Sequence, residues 1–202
     1  MFFFDTTRLP TTAEILEPEI SESELVKSAA AGDEEAFVEL AHRYHQRVWG
    51  TASRFARSRA ELEDLVQDLF VKIWKGLPSF RDKSPFEHWV MRVTVRGCYD
   101  FLRKNRRRRE SEVLTGEIFD SISQNPAEDS LRKQNEACEI VAILLEGLDA
   151  KDRTVITLLD LEEKSVRETA ALTGWTESNV KVRAFRARKK MKAHFERLGL
   201  EP

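Results

Sequence analysis

The chain has 202 residues, with 33 Lys plus Arg against 35 Asp plus Glu, a formal charge of −2 and 41% apolar residues. That is enough for one or two modest domains with a real core, and it excludes a wholly disordered chain. Two cysteines, Cys98 and Cys138, exclude a disulfide-rich scaffold; the longest apolar run, Ile140 to Leu145, is too short to cross a membrane, and Met1 to Asp5 lacks the layout of a signal peptide, so a reducing, cytoplasmic setting is expected.

Residues 1–21 hold Pro10, Pro18, a threonine cluster and several acids, and read as a flexible acidic tail. A helical period starts at Ser23 and recurs almost to the end; the one strand-like stretch, Arg92 to Arg96, sits inside a longer helical pattern and is read as helix. The clearest helix spans Leu62 to Leu77, where Leu62, Leu65, Val66, Leu69, Phe70, Ile73, Trp74 and Leu77 form one broad apolar stripe and Pro78 stops the backbone ladder. Asp64, Gln67, Asp68, Lys72 and Lys75 lie on its other side, where simple solvation is the bland explanation.

Ser79 to Pro85 is a loop by composition. A second long helix follows from Phe86 or Glu87 to about Arg108, with Phe86, Trp89, Val90, Val93, Gly97, Phe101 and Leu102 as its buried side. Residues 110–130 contain six acids and no base, and read as a linker whose contour of roughly 70 Å far exceeds its relaxed span of about 25 Å. Helical segments Leu131 to Leu148 and Asp149 to Leu159 come next. Ser165 and Glu168 fit a capping box, Gly174 makes a turn, and Thr176 to Asn179 offer N-caps for a last helix buried along Val180, Ala184, Ala187 and Met191. Short helix, glycine turn and basic helix is the layout of a helix-turn-helix; a basic helix capping a bundle is the competing explanation.

The near-neutral total conceals two basic blocks. Residues 87–109 carry net +6 and residues 164–202 net +6, with net −6 over 110–130 between them. Two separate polyanion contacts are expected from that division, with the acidic stretch limiting stray DNA binding.

Four stretches in this order resemble the sigma-70 family of bacterial sigma factors, extracytoplasmic-function (ECF) class, over about residues 22–196. They are Gly32 to Phe37 with Leu40 and Tyr44; Asp64 to Phe70 with Ile73 and Trp74; Phe86 to Arg92 with Asp100 to Arg103; and Ser165 to Lys190. The resemblance implies an all-α chain with a sigma-2-like bundle over 22–109 and a sigma-4-like helix-turn-helix over 131–202, joined by the acidic flexible linker. It implies core RNA polymerase (the β′ coiled coil and the β flap), promoter DNA and an anti-sigma factor as partners. In the matching positions, Asp64, Gln67 and Asp68, with Lys72 beside them, are implied to dock on polymerase; Asp68 stands where the family usually has glutamate. Phe80, Arg81 and Lys83 of the loop, then Arg92, Arg96, Arg103, Lys104, Arg106 and Arg107 of the helix, are implied to serve the −10 element. Arg96 replaces a common asparagine, favouring phosphate or guanine over amide readout. Phe80 and Trp89 are divided between stacking on an unpaired base and core packing. Thr176, Ser178, Asn179, Lys181, Arg183, Arg186, Arg188 and Lys189 are implied to serve the −35 element.

His42 and His45 are three apart, but no third ligand of fitting spacing follows, and they read as packed or solvated histidines. Cys98 reads as a small buried side chain. No nucleophile, phosphate loop or supported carboxylate pair is present, so no catalysis, metal or cofactor is expected. The expected function is promoter recognition, −10 melting and initiation at a specialised stress or envelope-response regulon, in the cytoplasm and on the nucleoid when polymerase-bound. The alternative is a helix-turn-helix regulator that is never a polymerase subunit; it would need neither the Asp64 to Trp74 helix nor the first basic block.

Overall fold

The computed structural model describes residues 20–112 and 140–199, with side chains of the first segment described to residue 105. Nearly all of the tail, the linker beyond residue 112, the Leu131 to Leu148 helix before residue 140, and Cys138 lie outside the described residues, as do the Arg106 and Arg107 side chains. The regular structure of the described residues is all helical, with no strand among them.

Helix α1 (Glu22–Ala30) opens on a capping box: the Ser21 amide donates to Glu24 Oε2 at 3.1 Å, and the Glu24 amide donates to Ser21 Oγ at 3.3 Å. Two orphan amides at the helix start are thereby satisfied. Helix α2 (Glu34–Ser53) starts on a simple N-cap, with Asp33 Oδ1 accepting from the amides of Glu35 and Ala36. Its inward stripe is Ala36, Leu40, Ala41, Tyr44, Val48 and Ala52. The Tyr44 hydroxyl donates to Glu22 Oε2 and ties α1 to α2; burial, helped by that carboxylate, raises its pKa.

Helix α3 (Arg59–Gly76) begins a turn earlier than the apolar spacing indicates, because Ser58 caps it by accepting from the Glu61 amide at 3.1 Å. It ends in a 3-10 turn, Leu77–Ser79. Helix α4 (Phe86–Glu112) is one continuous element of about 40 Å. Gly97 lets it lie close to α3: a Cβ there would fall 2.3 Å from a Leu69 methyl. Leu65, Leu69, Phe70, Ile73, Phe86, Val90, Cys98 and Leu102 join the α2 stripe in one core cluster.

The second helical unit is smaller. A helical segment at 140–146 (α5) precedes α6 (Ala150–Ile156), which is capped by Asp149 and runs on into a π-helical turn, Thr157–Leu161. Helix α7 (Val166–Thr173) and helix α8 (Glu177–Arg197) complete it. Two small clusters hold these together: Leu145, Leu148, Ile156 and Ala187, and Val155, Val180 and Ala184.

The two units touch. Helix α4 meets α6 and α7 as well as α2 and α3. Val95, 1% exposed, is buried yet stands outside the cluster formed by α1 to α4, as expected of a residue covered from that second side.

Candidate nucleic-acid and polymerase interfaces

Helix α3 sends its apolar stripe inward and leaves Asp64, Gln67, Asp68, Lys72 and Lys75 exposed. Val71, 43% exposed, sits among them. It lies off the apolar stripe in the sequence, which is the signal that marks it as a surface residue. Lys72 differs from its acidic neighbours: its Nζ turns towards Asp100 of α4 at 3.8 Å. The result is an acidic and amide strip with a valine in it, fit to accept hydrogen bonds and ion pairs from a basic helical partner.

The loop before α4 is anchored by aromatics. Phe80 is half-buried, its ring 5.3 Å from Phe86 and 5.5 Å from Trp89. Trp89 stacks on Phe86 at 5.7 Å. Both rings pack on the core in this conformation. Arg81 and Lys83 are exposed on either side of Asp82, whose φ of 52° is left-handed.

Along α4, Arg92, Arg96, Tyr99 and Arg103 follow helical spacing on one stripe. Arg92 is half-buried and its Nε, shielded from solvent, has no hydrogen-bond partner. Arg96 reaches over Gly174 of the second unit. Arg103 pairs with Asp100 at 3.4 Å, and Lys104 is exposed. Cys98, on the opposite side, is fully buried, and burial pushes its thiol pKa well up; it is a core side chain.

The second unit has helix-turn-helix geometry. Ser165 and Glu168 form the capping box, and the Ser165 hydroxyl, donating to Glu168 Oε2 at 2.6 Å, together with the Ser165 amide at 2.8 Å holds the exposed Glu168 carboxyl below its ordinary pKa. Gly174 adopts φ 78°, a left-handed turn that L side chains resist. Thr176 Oγ1 accepts from the Asn179 amide at 3.2 Å and starts α8.

The cations of α8 divide into two sets. Arg183 faces inward: Nη1 donates to Asp152 Oδ1 at 2.9 Å, Nε donates to Asn179 Oδ1 at 2.8 Å, and the guanidinium lies 5.7 Å from the Trp175 ring centroid. Lys190 Nζ donates to Asp152 Oδ2 at 2.6 Å, which raises its pKa. Arg188 grips Asp160 with two donors, at 3.1 and 2.6 Å, and is raised likewise. Thr176, Ser178, Asn179, Lys181, Arg186 and Lys189 are exposed. Val182 and Phe185, 49% and 72% exposed, stand among them and were missed by charge counting; their position off the Val180, Ala184, Ala187 spacing is the signal that could have found them. Phe185 forms, with Val166 and Ala184, the apolar floor of an open groove of about 770 Å³ rimmed by Lys164, Lys181 and Lys189.

Elsewhere His45 is exposed and lies against Trp49 and Phe70, 5.5 and 6.2 Å between ring centroids. Among the described residues no group of three or more His, Cys, Asp or Glu side chains is placed to hold a metal, and no helix is long and apolar enough to cross a membrane.

Family models match both units: Sigma-70 region 2 over residues 40–108 and Sigma-70 region 4 over residues 139–191. The chain is 31% identical over 176 residues to the ECF RNA polymerase sigma-E factor of Escherichia coli K12, covering 84% of this chain and 92% of that protein. It is 29% identical over 178 residues to the protein of the same description from Haemophilus influenzae, covering 84% and 93%. Two solved structures share the fold. CnrH, in complex with the cytosolic domain of CnrY, is 27% identical with a TM-score of 0.55, covering 85% of this chain and 95% of that one. The sigma factor RpoE of Bartonella quintana, in complex with the anti-sigma factor NepR, is 25% identical with a TM-score of 0.54, covering 82% and 98%. A bundle with an acidic helix face, a long basic helix and a helix-turn-helix, matched in both halves, place this chain in the extracytoplasmic-function class of the sigma-70 family of sigma factors.

Proposed function

We infer that the protein binds core RNA polymerase, carries it to promoters, and helps open the −10 element at a specialised regulon. The observation that carries this reading is the exposed strip of Asp64, Gln67 and Asp68 on α3, in the same chain as a helix-turn-helix. A regulator that never joins polymerase has no use for such a strip. In this reading residues 22–109 act as the polymerase and −10 module, and residues 131–202 as the −35 module.

The α3 strip docks on the β′ coiled coil. Arg81, Lys83, Arg92, Arg96, Arg103, Lys104, Arg106 and Arg107 meet the −10 DNA. Capture of an unpaired base there repays the few kcal/mol that extrusion costs. Thr176, Ser178, Asn179, Lys181, Arg186 and Lys189 meet the −35 duplex, with Val182 and Phe185 supplying apolar contact to base methyl groups. The chain performs no bond chemistry of its own; polymerase does. It works in the cytoplasm, and an anti-sigma protein is its natural restraint, in keeping with the partners of CnrH and the Bartonella RpoE.

Run-off transcription with core polymerase tests the reading. A transcript start dependent on this protein is expected. Asp64→Ala and Gln67→Ala should each weaken core binding in a titration while leaving helicity and melting temperature unchanged. No start on any template and no core binding would leave the regulator reading in its place.

A further inference from the structure

The first described residue, Ile20, is held by a cation. Arg43 Nη2 donates to the Ile20 carbonyl oxygen at 3.3 Å, while Arg43 Nε pairs with Glu39 at 2.7 Å. One turn further along α2, Arg47 pairs with Glu87 in the first turn of α4 at 2.6 Å. The root of the N-terminal segment therefore sits on the arginine side of α2, beside the start of α4. Ring contacts carry the same corner into the loop before α4. The Tyr44 ring lies edge-on to Phe86, 5.4 Å between centroids, and Phe86 packs in turn on Phe80 of that loop. Helix α1 also packs against the Leu77–Ser79 turn that leads into it. Arg43, Arg47, Arg81 and Lys83 are all exposed. Arg43 and Arg47 have no part in the DNA contacts inferred for the loop.

The segment rooted at this corner carries the opposite charge. Residues 1–19 contain Asp5, Glu14, Glu17 and Glu19 against a single base, Arg8. A chain spans at most about 3.6 Å per residue, so Glu19 and Glu17 can stand no further than roughly 4 and 11 Å from Ile20. The whole segment reaches roughly 65 Å when extended, ample to cross the loop. Tethering makes each contact intramolecular, at an effective concentration in the millimolar range. Surface ion pairs are weak one at a time. Several of them at that concentration compete with a single strand whose phosphates seek the same side chains.

We propose that the acidic N-terminal segment, residues 1–19, docks on the cationic corner formed by Arg43, Arg47, Arg81 and Lys83, and competes there with the unpaired −10 strand. The docking stands on the contacts of α1 and α2; the competition rests on the sigma-factor reading of the loop. The segment holds off stray single strands and yields to a promoter strand that polymerase positions.

The full chain tests both parts. Docking is read without DNA, from a spin label on Thr12→Cys in a Cys138→Ser background that keeps the buried Cys98. The label should broaden the amide resonances of Arg43, Arg47 and Ser79 to Lys83 well beyond those of α8. Glu14→Gln, Glu17→Gln and Glu19→Gln together should abolish that difference. Competition is read from the anisotropy of a labelled oligothymidylate of about 15 nucleotides. The triple variant should bind it roughly fivefold tighter than wild type at low salt, and the ratio should fall towards one as salt rises. In an Arg43→Ala/Arg47→Ala background the seat is lost, and the gain should drop below about twofold. If the alanine pair loses helicity, Arg43→Gln/Arg47→Gln takes its place in the same comparison. Equal broadening at the corner and on α8, or broadening that survives loss of the three acids, overturns the docking. A triple variant that binds the strand no tighter than wild type, or a gain undiminished without Arg43 and Arg47, overturns the competition. If the docking is seen and no variant binds the strand, the −10 reading of the loop fails and takes the competition with it, while the docking stands.

Discussion

Asp152 anchors the second unit. Its carboxylate is 3% exposed and takes Arg183 on one oxygen and Lys190 on the other, at 2.9 and 2.6 Å. Asp149 supports the same site. Burial opposes its ionisation, yet the Asp152 amide and Lys190 together hold its pKa below the ordinary value. Removing the buried carboxylate takes a hydrogen-bond acceptor from the quarter-exposed Arg183 and the half-exposed Lys190, at a cost of about 1–3 kcal/mol. Asp152→Ala is therefore expected to unfold α6 against α8 and to lower the melting temperature of the second unit, read by circular dichroism. Charge counting in the sequence treats Arg183 and Lys190 as equal to Arg186, because nothing in a one-dimensional pattern shows that a buried aspartate 31 residues away claims Arg183.

The elements were legible where a period and a cap coincide, as in α7 and α8. They were less legible where one signal was missing. The leading turn of α3 carries Arg59, Ala60 and Glu61, which have no apolar period, so only the Ser58 cap reveals it. Helix α4 reads as ending near Arg108 and continues to Glu112. Helix α8 is the element on which the proposed DNA contacts can be sorted. Arg186→Ala is expected to weaken −35 duplex binding by about 1–3 kcal/mol for a base contact, or to reduce the salt slope by about one for a phosphate contact, with unchanged thermal stability. Arg183→Ala is expected to lower thermal stability first. Parallel melting curves and binding isotherms at two salt concentrations distinguish the two.

At the scale of the whole molecule, the first unit has one large apolar cluster and the second has two small ones, while the junction between them combines ion pairs and a buried arginine with the Tyr99–Trp175 ring contact and the buried Val95. Units with unequal cores open separately. Calorimetry of the full chain should therefore show two transitions, the lower belonging to the second unit. Asp152→Ala should remove or depress that lower transition and leave the upper within a few degrees. One cooperative transition for wild type would mean that the junction is stronger than its contacts indicate.

The sequence by itself determined the helical class, the two basic blocks, the α3 stripe with its acidic reverse face, and the helix-turn-helix, because periodicity, caps and glycine turns are local properties of a chain. It also carried the family resemblance, through four motifs in order. The tertiary structure alone decided which cations are taken by Asp152 and Asp160, why Thr94 and Val95 are buried outside the expected stripe of α4, and that Arg96 meets Gly174. Those facts depend on residues far apart in the chain, and on a second unit closing over a helix whose exposed side looks, from spacing alone, free for DNA.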